Sequence, residues 1–128
     1  MITFDDLQPG AALGQASFVF TQDLLDQWCA LYPDDRAAGP HMPAAMVVMV
    51  MMRAYTEVMH DRPPGNIHAG QKFRIARLPA LHEQVKTRLT CMGKELKRER
   101  RWVTFSMDTV DAADTLLFRG EMTTIWAA

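Results

Sequence analysis

The sequence predicts an α+β fold in which a curved antiparallel β-sheet wraps around a long buried α-helix. Two observations carry that expectation. From Ala44 to Met52 the chain runs through nine apolar residues without a break, and a helix apolar around its whole circumference must be enclosed. After Gly65 the hydrophobic period changes from 3.6 to 2 and stays there to the C-terminus, the signature of strands with one packed face. A length of 128 residues fits one domain spanning 1–128.

The apolar run is read as a helix from Pro43 to His60, about 27 Å long at 1.5 Å per residue. Val47, Val48 and Val50 are β-branched and would suit a strand. Pro43, however, suits a first helical position, and the run is too long for an ordinary strand. Arg53, Thr56, Glu57 and His60 fall at i, i+3, i+4 and i+7, which places the polar groups on one face of the last two turns. The run is shorter than the ~20 apolar residues of a membrane span and Arg53 interrupts it, so no membrane association is expected.

Ahead of this helix, Pro9-Gly10 marks a turn and Ser17 to Phe20 a short strand. Thr21 is placed to cap a helix whose apolar face is Leu24, Trp28, Leu31 and Tyr32, and Pro33 stops it. Asp34 to Met42 is then a loop leading to the buried helix. Pro63-Pro64-Gly65 ends the helical region. Beyond it Ile67, Ala69, Gln71, Phe73 and Ile75 alternate with polar or small residues. Val85, Thr87, Leu89 and Cys91 form the next apolar face, Val103, Phe105 and Met107 the one after. Asp111 to Asp114 is a turn before a last strand, Leu117 to Trp126.

A formal charge of −1 exerts no general pull on nucleic acid or membrane. Lys94 to Arg101 (KELKRERR) is basic but short, diluted by two acids and without interleaved aromatic residues, so nucleic acid is not an expected partner. Cys29 and Cys91 lack a CxxC or paired-His spacing and are read as buried thiols rather than a disulfide or zinc site. The N-terminal MITFDDLQPG is not a secretion signal, which makes a cytoplasmic location the expectation. No nucleophile elbow, P-loop, dinucleotide fingerprint or metal motif occurs, so neither cofactor nor metal is expected. Six of the ten methionines lie between Met42 and Met59. Such unbranched side chains fill irregular space, in plain packing or beside an acyl channel.

The order of these elements resembles the hotdog fold, and the sequence resembles its MaoC-like branch of acyl-CoA hydratases and dehydratases. The resemblance runs through FDDLQPGAALGQASFVFTQDLLDQWCALYPD, through the run Gly70-Gln71-Lys72-Phe73, and through the three strands that follow. In that family an Asp-x-Asn-Pro-x-His loop precedes the long helix. Its Asp and His activate the water added to a 2-enoyl thioester and protonate the neighbouring carbon, while N–H groups at the helix start bind the thioester oxygen.

The resemblance implies Asp34 as the base, after Leu31-Tyr32-Pro33. Gly39 stands where the family has its histidine, leaving His41 or His68 to supply the proton. Pro43, Ala44, Ala45 and Met46 occupy the helix start, and with Gly70 and Gln71 are the substrate-binding candidates. The implied substrate is an acyl-CoA or acyl-carrier thioester. The implied assembly is a homodimer or dimer of dimers, or a pairing with a second hotdog chain. A catalytically silent hotdog subunit and a hotdog thioesterase are the alternatives. Against the latter, the only acid of the long helix, Glu57, lies late, beside Arg53.

Overall fold

The computed structural model describes residues 1–128, apart from the side chains of residues 37 and 38. In chain order the elements are β1 (Ala12–Val19), α1 (Gln22–Leu31), a 3-10 turn (Pro33–Ala38), α2 (Met46–Val58), β2 (Ile67–Ile75), β3 (Gln84–Lys97), β4 (Arg100–Val110) and β5 (Leu116–Trp126). The five strands form one sheet in the order β1-β3-β4-β5-β2, antiparallel throughout.

The expected wrapping is present. Residues of α2 meet β1, where Arg53 lies over the Phe18 ring at 5.5 Å, and β4, where Tyr55 packs edge-on against Phe105 at 5.6 Å. On β5, Met51 covers Gly120. Met46, Val47, Val50, Met51, Ala54 and Tyr55 are buried on the helix side of this core. Val85, Leu89, Cys91, Val103, Phe105, Met107, Phe118 and Met122 face them from the sheet. Burial alternates strictly along the middle of β3, β4 and β5, as the period of 2 requires. Thr87 and Thr109 are buried on neighbouring strands, and their hydroxyls satisfy each other at 2.7 Å.

The turns follow from local chemistry. Arg98 and Glu99 both take positive φ between Lys97 and Arg100, the backbone of a two-residue hairpin turn whose twist matches the strands. Asp111 Oδ1 accepts from the N–H groups of Ala113 and Thr115, each at 2.9 Å, so this side chain substitutes for a backbone turn.

Three details differ from the sequence expectation. Helix α2 begins at Met46, not Pro43. Pro43 to Ala45 form a tighter turn, with Met46 N–H bonded to Pro43 O at 3.0 Å and Val47 N–H to Ala44 O at 3.2 Å. The regular helix is therefore nearer 20 Å long at 1.5 Å per residue, and Val48, Met49 and Met52 on its flank are only half-buried. Helix α1 is capped by Thr21 as expected, its Oγ1 accepting from Leu24 N–H at 3.2 Å. Its packed face includes the expected Trp28 but otherwise comprises Leu25 and Cys29, while Leu31 and Tyr32 are exposed. In β2 the register shifts between His68 and Gly70. That irregularity returns Ile67 to the outer side opposite Ile125, while Gln71, Phe73 and Ile75 lie opposite Met122, Gly120 and Phe118 on the helix side.

Among the described residues no helix is long and apolar enough to cross a membrane. Both cysteines are buried free thiols.

Candidate active site

Two neighbouring acids on the 3-10 turn have different fates. Trp28 Nε1–H of α1 donates to Asp35 Oδ2 at 2.7 Å, and Asp35 N–H bonds back to Tyr32 O at 3.1 Å. The Trp28 and Tyr32 rings lie 4.7 Å apart beside this link. Asp35 thus fastens the turn to α1. Asp34, one residue earlier, is exposed, and no hydrogen bond or ion pair engages its carboxylate among the described residues. Of the two, Asp34 is the one available to a ligand.

The turn ends on Gly39, with φ 76° and ψ −148°. That region is essentially restricted to glycine. The position where the resemblance leads one to look for a histidine therefore has a backbone that a histidine could adopt only with strain.

His41 follows two residues later and is held as if in a strand. It forms an antiparallel bridge with Ala80; Met42 N–H bonds to Pro79 O at 2.8 Å and Leu81 N–H to Pro40 O at 2.9 Å. The same connector carries an ion-pair network that sequence reading missed. Arg77 makes a bidentate contact with Glu83, at 2.8 and 2.7 Å, and reaches Asp111 at 3.3 Å. Glu83 also accepts from Ala80 N–H at 3.0 Å. The Arg77 guanidinium, ahead of the Ala80 hydrogen bond and the nearby His41, lowers the Glu83 carboxyl to about 2. The acids are spread over 29 positions of sequence, so no local spacing announces them.

At the head of α2, Pro43 and Met46 are buried while Ala44 and Ala45 are exposed. Met46 N–H is already bound to Pro43 O, and no side chain caps the helix. The N–H groups of Ala44 and Ala45 are without protein acceptors among the described residues, so they are the donors this helix start offers to an oxyanion.

On β2, His68 is exposed opposite Thr124, and Gly70 lies opposite Thr123. Gln71 is different. Its amide nitrogen and oxygen are both buried and have no hydrogen-bond partner among the described residues. The amide lies against Gly120, where the Met51 side chain also sits. Leaving such a group unsatisfied costs on the order of 1–3 kcal/mol.

No hydrogen bond or ion pair joins any two of Asp34, His41 and His68 among the described residues. A cleft of about 180 Å³ between β1 and α2 is lined by Ser17, Phe18, Arg53 and Glu57. A wider one of about 510 Å³ is lined by Gly70, Lys72, Thr104 and Glu121. Neither includes the three candidate catalytic side chains. Among the described residues no group of three or more His, Cys, Asp or Glu could hold a metal ion.

Solved structures share this fold. The MaoC-like dehydratase from Rhodospirillum rubrum superposes with a TM-score of 0.83 at 14% identity, covering 100% of this chain and 99% of its own. An R-hydratase from Pseudomonas aeruginosa, in its unliganded form, gives 0.71 at 19% identity, over 98% of this chain and 85% of that one. A (3R)-hydroxyacyl-ACP dehydratase complex from Mycobacterium tuberculosis gives 0.75 at 11% identity, over 91% and 96%. No protein-family model matches the sequence, and neither does any curated protein. The chain has the hotdog fold, and the structures it is similar to include a MaoC-like dehydratase, an R-hydratase and a hydroxyacyl-ACP dehydratase.

Proposed function

We propose that this chain is a MaoC-like hydratase/dehydratase acting at the 2,3-position of an acyl thioester. It adds water to a 2-enoyl-CoA or removes it from a 3-hydroxyacyl-CoA, or acts on the same groups borne by an acyl carrier protein. The observation that supports this most is Asp34: an exposed, unengaged carboxylate on the loop leading to α2, in a fold shared with hydratases.

In this reading Asp34 takes a proton from water, and the hydroxide adds to the third carbon of the enoyl group. Negative charge gathers on the thioester oxygen, which the N–H groups of Ala44 and Ala45 hold at the turn between Pro43 and Met46. His41 or His68 delivers the proton to the second carbon. Gly70 and Gln71 border the acyl portion. The active unit is a homodimer, because the β2 edge and its exposed Ile67 and Phe73 are left open in a single chain and such edges associate unless covered.

The test is turnover of crotonyl-CoA and longer enoyl-CoA thioesters by the purified protein. Hydration is expected with the parent and is lost in Asp34→Asn.

A second reading has its own observation. Gly39 holds a glycine-only conformation where a catalytic histidine would be sought, which favours a silent hotdog subunit or acyl-CoA binder. That reading gains if acyl-CoA binds and no enoyl thioester turns over. Release of free thiol from acyl-CoA would instead indicate a thioesterase.

A further inference from the structure

Strand β1 pairs only with β3, so its other edge is open. Helix α2 meets this strand at Gly14, where the Val58 side chain lies against the glycine. Farther along, a cleft of about 180 Å³ opens between the two elements, bordered in succession by Ser17, Phe18 and Val19. Successive side chains of a strand point to opposite faces, so three neighbours in a row bring the backbone edge into the wall. Phe20 turns both of its backbone groups toward β3: its N–H donates to Glu83 O at 3.1 Å, and its C=O accepts from His82 N–H at 2.6 Å. This orientation alternates along an antiparallel strand, which leaves the N–H and C=O groups of Ser17 and Val19 directed to the open edge.

The helix side of the cleft supplies one charge of each sign. Arg53 lies over the Phe18 ring at 5.5 Å, an attraction that holds its guanidinium at the cleft. No carboxylate is within ion-pair distance of it among the described residues. Glu57, one turn on, leaves it unpaired, and an arginine four residues ahead of a glutamate is the weaker order for such a pair. Glu57 also stands in the last turn of α2, where the helix dipole disfavours an anion. Between them the floor is apolar and small, formed by the buried Ala16, Val50 and Ala54.

One ligand chemistry matches all of these groups. A carboxylate suits Arg53 and the edge N–H donors, an ammonium group suits Glu57 and the edge carbonyls, and a short aliphatic group suits the floor. We propose that this cleft binds a free α-amino acid with a small aliphatic side chain, its carboxylate on Arg53 and its ammonium group on Glu57. The two side chains sit about 6 Å apart at Cβ, a gap the two charged ends of one amino acid bridge. The volume equals about six waters at ~30 Å³ each, which admits such a molecule and excludes coenzyme A. None of Asp34, His41 and His68 borders the cleft, so the site stands apart from the proposed thioester chemistry.

Nitrogen-15 NMR of the full chain titrated with L-valine tests this, with isovalerate and isobutylamine as ligands that each lack one of the two charges. Saturable shifts are expected at millimolar valine, centred on the amides of residues 16–19 and 50–57. Either single-charge analogue should bind at least tenfold more weakly. Arg53 and Glu57 are exposed, so Arg53→Gln and Glu57→Gln are expected to keep the fold, which circular dichroism checks. Each should weaken valine binding at least tenfold, whereas Glu57→Gln should bind isovalerate no less tightly than the parent does. Absence of saturable shifts overturns the proposal, as do shifts centred away from the cleft or isovalerate binding as tight as that of valine. The readout is independent of enoyl-CoA turnover: a chain that binds valine here and hydrates no thioester contradicts the proposed function and keeps this site.

Discussion

Met51 of α2 rests on Gly120 of β5 so closely that a single methyl group at position 120 would run into the methionine sulfur. Glycine is therefore present at this point of the strand for space, and Met51, fully buried, fills the room it leaves. Gly120→Ala is expected to destabilise the fold by about 1–3 kcal/mol through overpacking. Met51→Ala should cost about 2–5 kcal/mol through the cavity it opens. The double variant should cost less than the sum by more than ~0.5 kcal/mol, since each change relieves the other. Urea denaturation of the four proteins measures the cycle, and simple additivity would show that the two residues do not share this space.

The adjacent acids of the 3-10 turn should separate cleanly. Asp35→Ala removes the acceptor of the Trp28 indole and is expected to cost about 1–3 kcal/mol, the range for a part-buried bond to a charged group. Asp34→Ala should stay within about 0.5 kcal/mol of the parent, as an exposed side chain without partners does. Equal losses in denaturation experiments would mean that Asp34 has a structural role and is not held free for a ligand.

Acid should loosen the strap beside His41. The Glu83 carboxyl is lowered in the folded chain from an ordinary 4.5 to about 2 by Arg77, so its contribution to stability is fully present above pH 4.5. It is lost as the pH falls from 4.5 toward 2, because the unfolded chain takes up this proton first. Asp111 is lowered as well, chiefly by the Thr115 backbone N–H, and acts in the same direction. Glu83→Gln is expected to flatten the fall in stability across that window without altering its course at neutral pH. An unchanged acid slope would contradict the Arg77–Glu83 pairing.

Much of this architecture could be read from residue order. Val103, Phe105 and Met107 were expected on one face and are fully buried there; Thr21 caps α1 as its position implies. The misread points have physical reasons. Pro43 looks like a first helical residue, but the carbonyls of Pro43 and Ala44 accept bonds three residues on, and that tight turn delays the helix to Met46. Leu31 and Tyr32 fit the spacing of a buried stripe, yet α1 is rolled so that Leu25 and Cys29 join Trp28 against the core, which periodicity alone does not determine. The site was less legible than the fold. The resemblance singles out Asp34, but that Asp35 is bound up by the Trp28 indole while Asp34 is left unengaged is visible only in the structure. The Arg77–Glu83–Asp111 network joins turns far apart in sequence. The resemblance singles out Gln71 with Gly70, but only the structure shows that its amide is buried against Gly120 without a hydrogen-bond partner among the described residues.

The most direct test of the account is the rate at which the purified chain hydrates crotonyl-CoA and longer enoyl-CoA thioesters, compared with Asp34→Asn. The account predicts measurable hydration by the parent and a loss of at least a hundredfold in the variant, about 2.7 kcal/mol of transition-state stabilisation at 1.36 kcal/mol per tenfold, with the fold unchanged. A well-folded parent that hydrates no enoyl thioester, or an Asp34→Asn variant as active as the parent, would contradict it.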